Sequence, residues 1–176
     1  MNFPALLDTS PIQVMISLNY FRVPVIVVLL AAPAIADESA TAVSIDVSEL
    51  KFLAGSWEGH LEYLDYGDGK TRIRLPTTVQ YEPGKDSIKY VTTFTEPNGS
   101  KVKDKGSIRP ARDKTKLIFD GARHQVLSKK FDPSDESYQI VLERTGKDNK
   151  KPATFTTTIL RRKSTLQITK AVKYEG

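Results

Sequence analysis

The chain has 176 residues, a formal net charge of +5, two histidines and no cysteine. That length supplies one ordinary domain and an extension, and the missing cysteines exclude disulfides, thiol chemistry and a lipid-modified cysteine. The basic residues are scattered and no aromatic residues interleave them as stacking platforms, so no nucleic-acid partner is expected.

The extension comes first. Val23-Pro24-Val25-Ile26-Val27-Val28-Leu29-Leu30-Ala31-Ala32 is an apolar run preceded by Arg22 and followed by Pro33-Ala34-Ile35-Ala36. A positive residue, an apolar core and a small-x-small ending form the pattern of a secretory signal peptide, here cut after Ala36. A spanning helix needs roughly 20 apolar residues, and this stretch is shorter and ends at Asp37-Glu38. Residues 1–36 are therefore read as a leader, with Met15 as an alternative start because Met15 to Arg22 makes the better amino-terminal region. The predicted location is secreted or periplasmic. Removing the leader takes away only Asp8 and Arg22 among charged residues, so the mature chain keeps its positive balance. Dispersed lysines keep strands soluble and sheet edges unpaired, and they also permit weak contact with an anionic envelope surface.

Residues 37–47 read as a linker, and residues 48–176 as one domain. Val47 to Leu53 predicts one or two helical turns, with Ser48 as cap and Leu50 and Leu53 facing inward. Gly55-Ser56-Trp57 follows and contains the only tryptophan. A glycine two residues before an indole lets the backbone turn into a first strand while a large apolar plug closes one end of a barrel.

From there the chain consists of short segments rich in Thr, Val, Ile, Tyr and Phe, separated by turn residues. Asp68-Gly69 and Asn98-Gly99 tolerate positive φ in tight hairpins. Glu82-Pro83-Gly84, Asp120-Gly121, Asp132-Pro133-Ser134-Asp135 and Gly146-Lys147-Asp148-Asn149 mark further loops. The strands are predicted near 56–66, 70–81, 87–96, 101–109, 115–120, 123–131, 137–145, 153–162 and 165–174. Such a meander closes as an antiparallel up-and-down β-barrel, giving an all-β fold of about 8–10 strands.

Alternation along these strands selects the interior. Trp57, Gly59, Leu61 and Tyr63 share one face, as do Ile73, Leu75, Thr77, Val79 and Tyr81. Ile88, Tyr90, Thr92 and Phe94 form a third set. Tyr138, Ile140 and Leu142 form another, followed by Phe155, Thr157 and Ile159. A small apolar ligand is expected in the barrel, lined by Tyr63, Tyr81, Tyr90, Phe94, Tyr138 and Phe155.

Catalytic signals are few. No nucleophile elbow, zinc-binding helix motif or phosphate loop occurs. Ser56 lacks the spacing of an elbow nucleophile. Asp65-Tyr66-Gly67-Asp68-Gly69 lacks the spacing and closing glutamate of a calcium loop, so no metal site is assigned. His60 alternates with Glu58 and Glu62 opposite Trp57 and is read as a surface residue. His124, just after a turn, is read as a rim residue that reaches a ligand or haem iron only under an alternative reading.

The stretch Leu50 to Gly59 resembles the opening motif of lipocalins and the wider calycin barrels, which bind small apolar molecules. The resemblance runs from about Leu50 to Tyr174, although the T-D-Y segment of lipocalins is not evident. It implies a late-strand arginine over the first-strand tryptophan, closing the barrel base by a cation–π contact. Arg161 shares parity with Phe155, Thr157 and Ile159 and takes that role beside Gly55 and Trp57. The chain also looks like bacterial lipocalin-like domains that follow signal peptides and have no assigned activity. Nitrobindin-like barrels open with a similar G-x-W-x-G, matched by Gly55, Trp57 and Gly59. They bind haem through a late-strand histidine, and no histidine follows His124.

The resemblance thus implies a binding or carrier protein without a cofactor. A haem-binding or isomerase-like enzyme using His124 is the alternative, and an envelope interaction module with a filled barrel is a third. The scarcity of acid–base groups favours the binder.

Overall fold

The computed structural model describes residues 12–20, 43–65, 68 and 70–175, the first of these as backbone. The predicted leader core, 23–36, lies outside the described residues. The described residues form ten strands: β1 (Ile12–Tyr20), β2 (Gly55–Leu64), β3 (Arg72–Pro83), β4 (Ile88–Thr95), β5 (Lys101–Pro110), β6 (Lys116–Phe119), β7 (Ala122–Asp132), β8 (Ser137–Asp148), β9 (Lys151–Arg162) and β10 (Thr165–Tyr174). The nine from β2 to β10 pair antiparallel in chain order and form a nearly closed up-and-down barrel. β1 fills the remaining gap, pairing Ile12 with Val172 of β10 and Tyr20 with Trp57 of β2. The all-β, meandering architecture read from the sequence is the one observed.

The turns explain the order. Asp120 and Gly121 both have positive φ, 50° and 70°, and close the two-residue β6–β7 hairpin. Gly99 does the same work at φ 82° between β4 and β5. The expected loop at Gly146 to Asn149 is not a loop. β8 continues to Asp148, and Asn149 and Lys150 make the turn at φ 48° and 67°. Gly146 is a strand residue whose missing side chain makes room for Arg144: a Cβ there would lie 2.6 Å from the guanidinium Nη1.

One end of the barrel is closed by the 3-10 helix Val47–Leu53. Its cap is Asp46 rather than Ser48, because Glu49 reaches back and its Oε2 accepts the Asp46 N–H at 2.9 Å. Leu50, Phe52 and Leu53 face the barrel and are buried, together with Ile45 from the lead-in. Trp57 is 1% exposed, and its indole N–H donates to the Leu53 carbonyl at 2.8 Å. The Arg161 guanidinium lies 5.5 Å from the Trp57 ring and donates to the Phe52 carbonyl. Above this plug, Val79, Ile88, Ile108, Leu117, Val126, Leu142, Ile159 and Leu166 fill the lower barrel.

A β-bulge in β7 lies between Val126 and Ser128. It exposes Leu127 and turns Lys129 and Phe131 to the face shared with Ile140 and Tyr138, their cross-strand partners. β5 is also irregular, meeting β6 only at Arg109–Ile118 and Pro110–Leu117. The exposed Lys101, Lys103 and Lys105 stand on the stretch that β6 leaves uncovered, where charge discourages pairing with another sheet edge.

Replacing Trp57 by alanine removes the plug, its hydrogen bond and the ring under Arg161. The expected loss is about 3–5 kcal/mol in urea unfolding, and a loss below about 1 kcal/mol would show that the indole does not close the base.

Candidate functional site

Inward positions divide at mid-height. Below, the side chains are packed. Above, Leu61, Tyr63, Ile73 and Phe94 are only half-buried, although alternation points them inward. Phe155 and Thr157 are buried beside them, and Ala153, Phe155 and Val172 form a second apolar cluster with Tyr174 against it. This upper half is the candidate site.

The six aromatic residues expected to line one site occupy three places. Tyr63, Phe94 and Phe155 belong to the upper half. Tyr81 and Tyr90 are buried in the lower core, with ring centroids 5.9 Å apart. The Tyr90 hydroxyl donates to Asp120 Oδ1 at 2.6 Å and crosses Gly106, where a Cβ would sit 2.3 Å from the hydroxyl oxygen. Burial and the neighbouring Asp120 raise both tyrosine pKa values far above the ordinary 10. These phenols therefore stay protonated at physiological pH.

Tyr138 lies at the opposite end of the molecule, outside the plug. It stacks on Phe52, centroids 5.2 Å apart and planes within 6°, and contacts Phe131 at 4.4 Å. Tyr138 is 36% exposed and Phe131 53%. Together they line a groove of about 710 Å³ beside the 3-10 helix, with Lys129, Lys130, Arg161 and Lys163 at its edge. Lys129 is paired there with Glu49.

His124 faces inward and is 3% exposed. Its Nε2 lies 3.2 Å from the Phe119 carbonyl, which can only accept, so Nε2 carries the hydrogen and Nδ1 is an acceptor. Among the described residues nothing bonds Nδ1. Burial, and then the positive charge of Arg144, hold its pKa below the ordinary value, so the ring is neutral at pH 7. Among the described residues, no group of three His, Cys, Asp or Glu could hold a metal ion. His60 lies on the outer surface, 3.0 Å from Arg74 through Nδ1.

Two inward cations escaped the sequence reading. Arg144 shares parity with Ile140 and Leu142, and its guanidinium lies 3.7 Å from the Phe155 centroid. Lys170 shares parity with Ile168 and lies 5.3 Å from the same ring. Their residue types suggested surface, whereas the period-2 alternation of β8 and β10 would have placed them inside.

Where β5 and β6 diverge, a side opening of about 560 Å³ is lined by Tyr90, Asp104, Gly106, Asp120 and Gly121. The upper barrel thus has an apolar wall, a neutral imidazole acceptor, two cations and, at the side opening, the Asp104 carboxylate. No protein-family model and no curated protein matches this sequence.

His124 gives a pH test with a definite sign. Its folded-state pKa is lowered, so the unfolded chain takes up the proton first as pH falls through about 6.5. Stability is expected to fall on acidification through that range. His60 is lowered too, by burial and Arg74. Urea unfolding at pH of about 7.5 and 5.5 should therefore show a smaller drop in His124→Gln, and a smaller one still when His60→Gln is added.

Proposed function

We propose that the protein is a binding or carrier protein that takes a small apolar ligand into the open half of its barrel. The observation that carries this reading is the half-buried set Leu61, Tyr63, Ile73 and Phe94, standing above a core that is already filled. Inward apolar side chains that the protein's own packing leaves uncovered supply a hydrophobic driving force to whatever covers them. The nearly closed barrel is compatible with a calycin-like fold. The indole under Arg161 supports the finer, lipocalin-like reading.

The proposed location is secreted or periplasmic, resting on the apolar run before Ala34-Ile35-Ala36. Among the described residues no helix is long and apolar enough to cross a membrane. Amino-terminal sequencing of the exported protein should begin at Asp37, and an intact product would contradict cleavage. The lysines edging the basal groove would support weak contact with an anionic envelope surface, outside the ligand site.

A fluorescent fatty-acid probe tests the binding reading. It should bind the purified protein, and Tyr63→Ala and Phe94→Ala should each weaken it by about 1–3 kcal/mol. Tyr138→Ala, beyond the plug, should leave it unchanged. Equal losses at all three positions would place the site elsewhere. Under the haem reading, which the unpartnered His124 Nδ1 favours, haemin would instead give a Soret band that His124→Ala abolishes.

A further inference from the structure

Arg144 and Lys170 are inside the barrel, half-buried, and converge on one aromatic ring. Among the described residues neither has a carboxylate within ion-pair distance; the four ion pairs all lie elsewhere. Two acidic groups of this region are engaged by phenols. Asp120 accepts from Tyr90 at 2.6 Å, and Asp148 accepts from Tyr174 at 2.5 Å. A third, Asp104, is the register partner of Thr92 and lines the side opening on β5, with no ion pair to either cation among the described residues. Two cations withdrawn from water without a counter-charge are costly, and the cost falls when an anion joins them.

The local packing fixes the arrangement. Arg144 and Phe155 are cross-strand partners on β8 and β9, and Lys170 of β10 is the cross-strand partner of Thr157. The charges therefore approach Phe155 from the two strands that flank β9. Gly146 provides the space in which the guanidinium lies. On this frame, the geometry points to a ligand with an anionic head, a carboxylate, held between Arg144 and Lys170, its apolar body lying along Phe94 and Leu61. The planar fork of arginine matches a carboxylate with two parallel hydrogen bonds, and lysine adds a compact second charge. The acceptor Nδ1 of His124 lies in the same electrostatic neighbourhood, where a ligand hydroxyl could bond it.

The inference rests on the proposed binding of an apolar ligand in the upper barrel and adds its chemical class. Dansyl-labelled undecanoic acid and its methyl ester separate the two claims, because they differ only in the head charge. The intact protein should bind the acid at least about tenfold more tightly than the ester. The double variant Arg144→Gln with Lys170→Gln should lose that margin and keep its affinity for the ester, which also shows that the barrel is still folded. A second double variant, Lys147→Gln with Lys173→Gln, removes the same net charge from the exposed outer face and should keep the preference. Equal affinity of the intact protein for acid and ester, or a preference that survives the inner substitutions, would overturn the anionic class while leaving apolar binding in place. Failure of both probes to bind the intact protein would overturn the binding reading itself, and the head-group assignment with it.

Discussion

The Trp57 indole is the constraint from which the rest of the barrel follows. Its N–H is satisfied by the Leu53 carbonyl, and Arg161 covers its ring. The 3-10 helix is thereby fixed across the base, since Arg161 also bonds the Phe52 carbonyl. A large side chain inserted at one end sets the height at which the next inward layer begins. Val79, Ile88, Ile108, Leu117, Val126, Leu142, Ile159 and Leu166 supply that layer with branched aliphatic groups, beside the phenols of Tyr81 and Tyr90.

Above the aliphatic layer the chemistry of inward positions changes within two or four residues of each strand. β8 passes from Leu142 to Arg144, β10 from Ile168 to Lys170, and β4 from Tyr90 through Thr92 to Phe94. Stability alone does not favour this change. An all-aliphatic upper half would bury more area without the desolvation of two cations. The barrel thus places its costly groups in the half that its own core leaves open. Polar groups there are paired where a partner exists, as with Tyr90 and Asp120 or Tyr174 and Asp148. Arg144, Lys170, Asp104 and His124 Nδ1 have no such hydrogen-bonded or ion-pair partner among the described residues. Arg144, Lys170 and His124 fall within one electrostatic neighbourhood, since both cations act on the imidazole.

Much of the fold was legible because a hairpin barrel is specified locally. Asp120-Gly121 and Asn98-Gly99 announce their turns, and period-2 alternation announces which face is inward. The β8–β9 turn was not legible, because Asn149 and Lys150 adopt positive φ without a glycine, while Gly146 drew attention to itself for an unrelated steric reason. The candidate site was less legible than the fold. Alternation gives the face of a residue but not its height along the barrel. Tyr138 therefore grouped with Ile140 and Leu142 although it lies beyond the plug, stacked on Phe52. The bulge at Val126 to Ser128 reverses the parity of Lys129 and Phe131, and no residue type at that point signals it. Charge misled in the other direction, since Arg144 and Lys170 have inward parity and outward composition.

Strand β1 falls within the segment proposed as a leader, and the sheet makes the consequence of that proposal physical. Within β1, Ile12 to Asn19 pair with Val172 to Thr165 of β10, and Met15 to Tyr20 pair with Glu62 to Trp57 of β2. A chain cut after Ala36 has no β1, and β2 and β10 then face each other across an unfilled seam. Unpaired strand edges cost hydrogen bonds and invite pairing with another chain, so such a barrel must draw its two edges together, add a strand from elsewhere or leave the seam to water. Drawing them together would carry Leu61 and Tyr63 of β2 toward Lys170 of β10, because register positions 61 and 168 both face Ile16. Processing of the leader and the shape of the proposed ligand site are therefore one structural question. The width of the upper barrel depends on whether β1 is retained.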